Sequence, residues 1–205
     1  MVDPDGDGGG DESDREPAVT IERPDVAEVD TLVELWAALA ADQRAHDSHL
    51  LPEANRAAVR DTLARHAVTG GVQVARRDGE IVGFVTYGPE EGVYEQDVTR
   101  GVVRNVYVRP EYRGRGIGSE LMDAAEAALE SVGATVISLE AMAANDRAHA
   151  FYRERGYEPH RIQFEKDLDG ETAGESTDSA APDRADADPS RSPTAEENDT
   201  HSKED

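Results

Sequence analysis

The sequence predicts one α/β or α+β domain in which helices pack on a central β-sheet. Runs of β-branched residues alternate with stretches of helical spacing along the middle of the chain, which is typical of layered folds. No unit of about 20 to 50 residues repeats, which argues against a solenoid or a propeller. Hydrophobic residues make up 37% of the chain, enough to close one core.

The charge distribution places this domain at residues 17–168. The chain has 205 residues, of which 45 are acidic and 21 basic, and its formal net charge is -24. Residues 17–168 carry 26 acidic and 17 basic side chains, a net charge of -9, so the two ends carry the other -15. Because segments 1–16 and 169–205 are acidic and offer little apolar surface, we expect both to be disordered.

Composition also excludes several classes of protein. The chain has no cysteine, which excludes disulfides, thiolate metal sites and a cysteine nucleophile. The acid excess disfavours nucleic acid as a partner, since it repels the phosphate backbone. No apolar window is long enough to span a membrane, and no signal-peptide pattern opens the chain, so we expect a cytoplasmic protein without a membrane partner. Arginine outnumbers lysine 19 to 2, which together with the acid excess indicates a halophilic source or, as the alternative, a GC-rich genome.

The first expected elements are a strand and a core-facing helix. Residues 18–22 predict the strand, and Pro24 is expected to open the helix. Its inward positions share helical spacing: Val29, Val33, Trp36 and Ala40.

A second helix and a hairpin are expected next. The helix begins at Pro52 and ends at Gly70. Its core face holds Val59, Leu63 and Ala67. Residues 72–76 and 81–87 predict a hairpin, because the Asp-Gly pair between them suits a tight turn.

The third group of elements surrounds the longest amphipathic helix. A polar loop over 88–97 precedes a buried strand over 102–108, which Pro110 ends. The helix covers 116–132. Its expected inward residues are Leu121, Ala125, Leu129 and Val132, and its expected outward residues are Glu120, Asp123, Glu126 and Glu130. Residues 135–142 predict a further buried strand.

The last expected elements are a short helix and a closing strand. The helix covers 145–155 and ends before Gly156, whose position suits a left-handed cap. Residues 161–168 predict the closing strand.

The stretch between the strand at 102–108 and the following helix predicts a phosphate site. Helix N-termini expose unpaired amides, and glycines at 114, 116 and 118 let an anion approach them. Five arginines fall within residues 100–115, at positions 100, 104, 109, 113 and 115. Neither a Walker loop nor a dinucleotide-binding turn fits, because no lysine precedes residue 166 and the glycines follow a late strand. Glycines alone would also suit a plain strand-to-helix connection.

Two motifs give the chain a resemblance to a known family. The first is Arg113-x-x-Gly116-x-Gly118. The second combines Asn145 with the later pairs Phe151-Tyr152 and Gly156-Tyr157. In order and spacing these motifs resemble the GCN5-related N-acetyltransferase (GNAT) family, strongly over 102–157 and by element order over 18–168. The resemblance implies a mixed central β-sheet flanked by helices on both faces in a single domain.

The resemblance also implies roles for individual residues. The strand backbone at Val106, Tyr107 and Val108 would pair with the pantetheine arm of acetyl-CoA, where adjacent strands splay. The pyrophosphate would be held by backbone amides of the loop: Arg113, Gly114, Arg115, Gly116, Ile117, Gly118 and Ser119. Asn145 would bind pantetheine or position the sulfur, or simply cap its helix. Tyr152 would protonate the CoA thiolate, whereas Phe151 is interpreted as a core residue.

The base that activates the acceptor is not evident from the motifs. Many family members carry a carboxylate on the strand before the loop, where this chain has Arg104 and Asn105. Replacement candidates are Glu140 and the loop residues Glu90, Glu91, Glu95 and Asp97. His46 and His49 are interpreted as solvent-facing or lining an acceptor cleft, and His66, His149 and His160 form no constellation.

The resulting prediction is an N-acetyltransferase that moves the acetyl group of acetyl-CoA to a primary amine by direct attack in a ternary complex, without a metal. The acidic loop suggests a cationic acceptor, and the protein is expected to be a monomer or homodimer. Two alternatives stay open: a catalytically weak acetyl-CoA-binding regulatory module, and a protein N-terminal or lysine acetyltransferase.

Overall fold

The computed structural model describes residues 18–92 and 94–168. Its strands are β1 (Thr20–Glu22), β2 (Val72–Arg77), β3 (Glu80–Pro89), β4 (Arg100–Val108) and β5 (Val136–Leu139). Its α-helices are α1 (Val29–Arg44), α2 (Pro52–Thr69), α3 (Ile117–Ser131) and α4 (Asp146–Glu154). The described residues divide after Glu158 into two compact units, and all of these elements lie in the first. No described helix is long and apolar enough to cross a membrane.

The five strands form one mixed sheet in the order β1-β2-β3-β4-β5. Strands β1 to β4 pair antiparallel, and β4 pairs parallel with β5. Helices α1 and α2 cover one face and α3 covers the other, where part of α4 also packs. The predicted fold class is therefore confirmed.

Helices α1 and α2 pack together on the first face of the sheet. Val29, Val33, Trp36 and Ala40 are all buried as predicted. The chain becomes helical at Val26, two residues later than Pro24, because Asp25 caps the first turn. The Asp25 side chain accepts a hydrogen bond from the Ala27 amide, and the Glu28 side chain accepts one from the Asp25 amide. In α2 Leu63 is buried, and Gly70 ends the helix in the left-handed conformation.

The hairpin between β2 and β3 has the predicted turn. Asp78 and Gly79 adopt φ values of 51° and 82°, which a tight two-residue hairpin turn requires. Strand β3 continues to Pro89, so the expected loop over 88–97 begins two residues later than predicted.

Helix α3 carries the core of the second face. Leu121, Ala125 and Leu129 are buried as predicted, but Val132 is 72% exposed. The prediction for Val132 was wrong because the helix ends at Ser131, and Val132 adopts a non-helical capping conformation. Glu126 was also expected to face solvent, but it is half-buried and accepts hydrogen bonds from Arg155 and Tyr157, which follow α4.

The last strand of the sheet is shorter than predicted. β5 covers only Val136–Leu139 of the expected 135–142, and its side chains are half-buried. Helix α4 begins after Asn145, and Gly156 follows it with φ 85°.

The second unit begins at Pro159, and its described residues are 159–168. The prediction of a closing strand over 161–168 was wrong, since these residues form no strand. Ile162 and Phe164 alternate as a strand would, but they are 75% and 88% exposed. A strand needs a hydrogen-bonded neighbour and a buried face, and among the described residues this segment has neither. The expected disordered segments 1–16 and 169–205 lie outside the described residues.

Candidate functional site

Strand β4 loses one of its neighbours halfway along its length. The pairs with β5 run from Arg100 with Val136 to Val103 with Leu139, and β5 then ends. Among the described strands, the second half of β4, including Val106, Tyr107 and Val108, therefore pairs with β3 alone. An unpaired strand edge offers backbone donors and acceptors to an extended ligand. The family resemblance implied a splay of adjacent strands here, and this is where the pairing of β4 with β5 stops.

Residues 113–119, which we call the amide loop, follow the short 3-10 helix Pro110–Tyr112 after β4 and include the first residues of α3. Gly114 and Gly116 adopt φ values of 77° and 82°, a conformation that favours glycine. A Cβ built on either residue meets no heavy atom within 4 Å, so both face open space. No side chain caps α3 at Gly116. The loop thus leaves room for an anion beside the positive end of a fifteen-residue helix.

The amides of the loop are not equally available. Arg113 already donates its amide to the Pro110 carbonyl at 3.2 Å, and Ser119 donates to Gly116 at 2.8 Å. Within the described residues, the amides of Gly116, Ile117 and Gly118 form no hydrogen bond. These three amides belong to the first turn of α3 or to its cap, where helix amides lack an intrahelical partner.

The Arg113 side chain anchors the amide loop to α1 and β4. Its Nη2 lies 2.6 Å from Asp42 Oδ2 on α1, and its Nε donates to the Val108 carbonyl at 2.8 Å. Its guanidinium also lies over the Tyr107 ring, 5.4 Å from the centroid. The first residue of the Arg-x-x-Gly-x-Gly motif thus ties α1, β4 and the loop together, and part of its charge is compensated.

The five arginines at 100–115 do not form one cluster. Arg100 pairs with Glu90, where Nε and Oε2 lie 3.3 Å apart, and Arg113 pairs with Asp42. Arg104 lies on the opposite face of the sheet from α3. The sequence count predicted a single positive patch because it ignored strand geometry, which separates these side chains.

Helix α4 places the second motif against α3. Asn145 caps the helix by accepting a hydrogen bond from the Ala148 amide at 3.0 Å. Tyr152 packs edge-on between Phe151 and Tyr157, with ring centroids 5.3 Å and 6.0 Å away. Burial raises the pKa of the Tyr152 phenol, which keeps it protonated. A protonated phenol is the form that can donate to a thiolate.

A network of charged side chains holds α4 in place. Tyr157 donates its hydroxyl to Glu126 Oε1 at 2.9 Å, and Arg155 Nη2 lies 3.1 Å from the same oxygen. Burial and the hydrogen bond to Glu126 raise the pKa of Tyr157. Phe151 approaches Gly118, where a Cβ would lie 3.7 Å from its ring, which supports the interpretation of Phe151 as a packing residue.

The carboxylates considered as bases are poorly placed for that role. Glu90 is engaged by Arg100 and by Gln96 Nε2 at 2.7 Å. The remaining candidates are exposed: Glu91, Glu95, Asp97 and Glu140. His46 and His49 follow the end of α1. Within residues 18–92 and 94–168, no group of three His, Asp or Glu side chains could hold a metal ion.

A cavity of about 230 Å³ lies on the α1–α2 face of the sheet. We call it the α2–β4 cavity. Its apolar wall includes Trp36, Val59 and Leu63, and its polar lining comprises His66, Thr86, Arg104 and Asn105. Asn105 Nδ2 donates to Thr86 Oγ1 at 2.8 Å. Sequence reasoning missed this site and discounted His66, since no spacing pattern relates these residues to one another.

Known proteins share both the sequence pattern and the fold. Residues 32–157 match the model of the Acetyltransferase (GNAT) family. An aminoalkylphosphonate N-acetyltransferase from Salmonella typhimurium is 30% identical over 113 residues, which cover 54% of this chain and 73% of the relative. An uncharacterized N-acetyltransferase from Archaeoglobus fulgidus is 42% identical over 84 residues, 40% of this chain and 56% of that protein.

Solved structures show the same fold. A GCN5-related N-acetyltransferase from Ralstonia eutropha matches with a TM-score of 0.60 and 23% identity, covering 75% of this chain and 100% of that one. An aminoglycoside N-acetyltransferase in complex with CoA matches with a TM-score of 0.58 and 14% identity, covering 76% of this chain and 98% of that one. With the family match over most of the first unit, the chain belongs to the GNAT family and is an acyl-CoA-dependent N-acetyltransferase.

Proposed function

We propose that this protein transfers the acetyl group of acetyl-CoA to a primary amine by direct attack within a ternary complex. The observation that carries the proposal is that the unpaired edge of β4 and the free amides of the amide loop follow one another along the chain. The edge of β4 that β5 leaves unpaired is followed, after one short 3-10 helix (Pro110–Tyr112), by the amide loop. An extended arm that ends in a pyrophosphate needs a strand edge followed by an anion site, in that order.

The residues present fit acetyl-CoA. Gly114 and Gly116 leave space that a side chain would fill, and the amides at 116–118 have no other partner within the described residues. When bound, acetyl-CoA supplies an activated thioester whose leaving group is a thiol. We assign the amides of Gly116, Ile117 and Gly118 to the pyrophosphate, and the backbone of Val106 to Val108 to the pantetheine arm.

Tyr152 is the residue that we assign to the leaving thiolate. It lies on the same face as the amide loop, because α4 packs on the cluster that contains Ile117 and Leu121. Its buried phenol stays protonated at neutral pH and can donate a proton when the thiolate forms. The cap that Asn145 provides fixes the start of α4, and therefore the position of Tyr152 one to two turns later.

The acceptor is a primary amine. The relatives named above act on aminoalkylphosphonates and aminoglycosides, which differ in charge and size but share an amino group. Direct transfer is favoured over a covalent intermediate, because the chain has no cysteine and shows no serine nucleophile motif.

Thiol release tests the proposal. The purified protein with acetyl-CoA is assayed across amino acids, polyamines, aminoglycosides and peptides, while calorimetry measures acetyl-CoA binding. We expect binding in the micromolar range and steady thiol release with at least one class of amine. Binding without turnover on any amine would favour the regulatory module instead, and turnover on peptides alone would favour a protein acetyltransferase. Absence of acetyl-CoA binding would overturn the proposal.

A further inference from the structure

A bulge in β4 brings two adjacent side chains into the same cavity. Thr86 of β3 pairs with Asn105, but the next residue, Tyr87, pairs with Val103, so Arg104 is left over. In a regular strand Arg104 and Asn105 would point to opposite faces. Here both line the α2–β4 cavity, while Val103 and Val106 pack on the opposite face. A bulge that redirects a side chain in this way is typical beside functional sites.

The guanidinium of Arg104 has no carboxylate partner within the described residues. Its only protein hydrogen bond there is from Nη2 to the Pro89 carbonyl, at 3.3 Å. The Arg104 side chain lines the cavity and is also exposed to solvent. The remaining donors of the guanidinium are therefore available for an anion.

His66 enters the same cavity from the last turn of α2. A Cβ at Gly71 would collide with His66 Nδ1, so the absence of a side chain at position 71 lets the ring pack there. Nε2 lies farther from Gly71 than Nδ1 does. The ring makes no hydrogen bond or ion pair to the protein within the described residues. An imidazole held in this way is free to exchange a proton with a ligand.

The groups around His66 favour its neutral form. Burial, followed by the positive charges of Arg104 on β4 and Arg65 on α2, lowers the pKa of His66 below its ordinary value of 6.5. The residues that α1 and β3 contribute to the cavity, Trp36 and Thr86, do not titrate near neutral pH. At pH 7 the ring can therefore accept a proton.

We propose that the α2–β4 cavity binds a compact acceptor that carries both a primary amine and an anionic group, with Arg104 binding the anion and His66 taking the proton from the amine. The anionic group is a carboxylate or a phosphonate. This inference rests on the proposed function and specifies its substrate class. It replaces the cationic acceptor that the acidic loop suggested, since a second positive charge would be repelled by Arg104.

The proton movements balance in this arrangement. Neutral His66 accepts one proton from the acceptor ammonium and passes it to solvent. The free amine then forms the new C–N bond as the C–S bond breaks. Tyr152 donates its proton to the departing thiolate, and the second proton lost by the nitrogen restores the phenol. Asn105 donates its Nδ2 to Thr86 Oγ1, which leaves its Oδ1 to accept a hydrogen bond from the amine.

The size of the cavity agrees with this class of acceptor. A volume of about 230 Å³ holds a molecule of a few carbon atoms with two polar ends. Trp36, Val59 and Leu63 surround the space between those ends and can cover a short aliphatic chain. Arg104 and His66 come from facing elements, so the anion and the amine are recognised at different walls.

Matched amines test the proposal directly. Thiol release is measured with 3-aminopropanoate against propylamine, with 2-aminoethylphosphonate against ethylamine, and with 1,3-diaminopropane as the dication. We expect at least one anionic amine to have a kcat/KM at least tenfold above that of its uncharged-tail partner, and the diamine to be the poorest substrate. Equal rates within each pair, or a preference for the diamine, would overturn the anion site.

Two variants separate the roles of the cavity residues. Arg104→Gln is expected to raise KM for the preferred anionic amine at least tenfold and to leave KM for acetyl-CoA unchanged. Arg65→Gln is the matched control, because Arg65 also lies near His66 but does not line the cavity. It should leave KM for the amine within about twofold. Equal effects of the two variants would contradict a specific site at Arg104.

The pH profile tests His66. The acidic limb of kcat/KM is expected at a pH below 6.5 in the wild type and absent in His66→Gln, which should also reduce kcat at least tenfold. A purely structural His66 would lower Tm and keep the limb.

NMR titration of the His66 ring, recorded without acetyl-CoA, keeps this test independent of turnover. Bound 3-aminopropanoate should shift the His66 ring resonances, because its amine then lies at the ring, whereas propylamine at the same concentration should not, since it lacks the anionic group that Arg104 binds. A shift with no thiol release from any amine would show that the anion site exists while the proposed function fails. Absence of a shift with every anionic amine would overturn the inference.

Discussion

The two regions that flank β4 are built from different parts of the chain. The amide loop uses backbone amides and glycines within seven consecutive residues, 113–119, at the start of one helix. The α2–β4 cavity uses side chains from four elements, which lie as far apart in sequence as Trp36 and Asn105. A common cosubstrate can be held by backbone geometry, whereas recognition of a particular acceptor requires particular side chains. We therefore expect the two sites to respond to different kinds of mutation.

The largest expected effect concerns Tyr152, which lies on the same face as the amide loop and is assigned to chemistry rather than binding. Tyr152→Phe keeps the ring packing and removes only the hydroxyl, so kcat should fall about tenfold to a thousandfold. Acetyl-CoA affinity, measured by calorimetry, should change little. Because burial raises the pKa of this phenol from its ordinary value of 10.0, wild-type kcat should not decline through its ionisation below pH 10. If kcat is unchanged in Tyr152→Phe, the hydroxyl has no catalytic role, and Tyr152 is a packing residue like Phe151.

A smaller effect is expected from the network that fixes α4. Glu126→Gln keeps an acceptor for the Tyr157 hydroxyl but removes the charge next to Arg155. The partly buried pair should contribute about 1 kcal/mol, which corresponds to a fall in Tm of about 2–4 °C. The control is Glu130→Gln, one turn later on the exposed face of α3, which should leave Tm unchanged. Equal melting temperatures in the two variants would show that the network does not position α4.

The smallest effect should come from the link between the two regions. Asp42 on α1 pairs with Arg113 of the amide loop, and both side chains are partly exposed. Asp42→Asn should therefore weaken acetyl-CoA binding by no more than about threefold, and the difference should disappear in high salt. Asp30→Asn breaks a similar exposed pair with Arg60 and provides the control. A loss of tenfold or more, or one that persists in high salt, would mean that α1 orders the loop.

Features built from consecutive residues, like the amide loop, could be predicted from the sequence, whereas features that need distant residues could not. Helical spacing predicted α1 and α3 closely, and the Asp78-Gly79 pair predicted its hairpin, because local patterns dictate these elements. The closing strand over 161–168 was wrong, although its alternation is equally local. Alternation shows that a segment can form a strand, but pairing depends on a neighbour that the segment does not encode.

The candidate sites show this limit at the level of single residues. Gly114 and Gly116 could be identified because a left-handed turn before a helix leaves a glycine pattern in the sequence. Arg104 was grouped with its neighbours in sequence, since nothing in the chain marks the bulge that turns it to the other face. His66 was discounted because its partners arrive from β3 and β4. The fold brings these distant side chains together, and the spacing of residues along the sequence cannot show it.

The central claim is that acetyl-CoA is held by the backbone of the amide loop and not by the cavity. Calorimetric Kd values for acetyl-CoA in Gly116→Ala, Gly133→Ala and Arg104→Gln test it most directly. Gly116 and Gly133 adopt similar φ values, 82° and 93°, and a Cβ at either meets open space, so the two alanines impose the same backbone strain at opposite ends of α3. We expect Gly116→Ala to weaken acetyl-CoA binding at least tenfold, while Gly133→Ala and Arg104→Gln stay within about twofold of wild type. Equal weakening by Gly116→Ala and Gly133→Ala, or a comparable loss in Arg104→Gln, would contradict it.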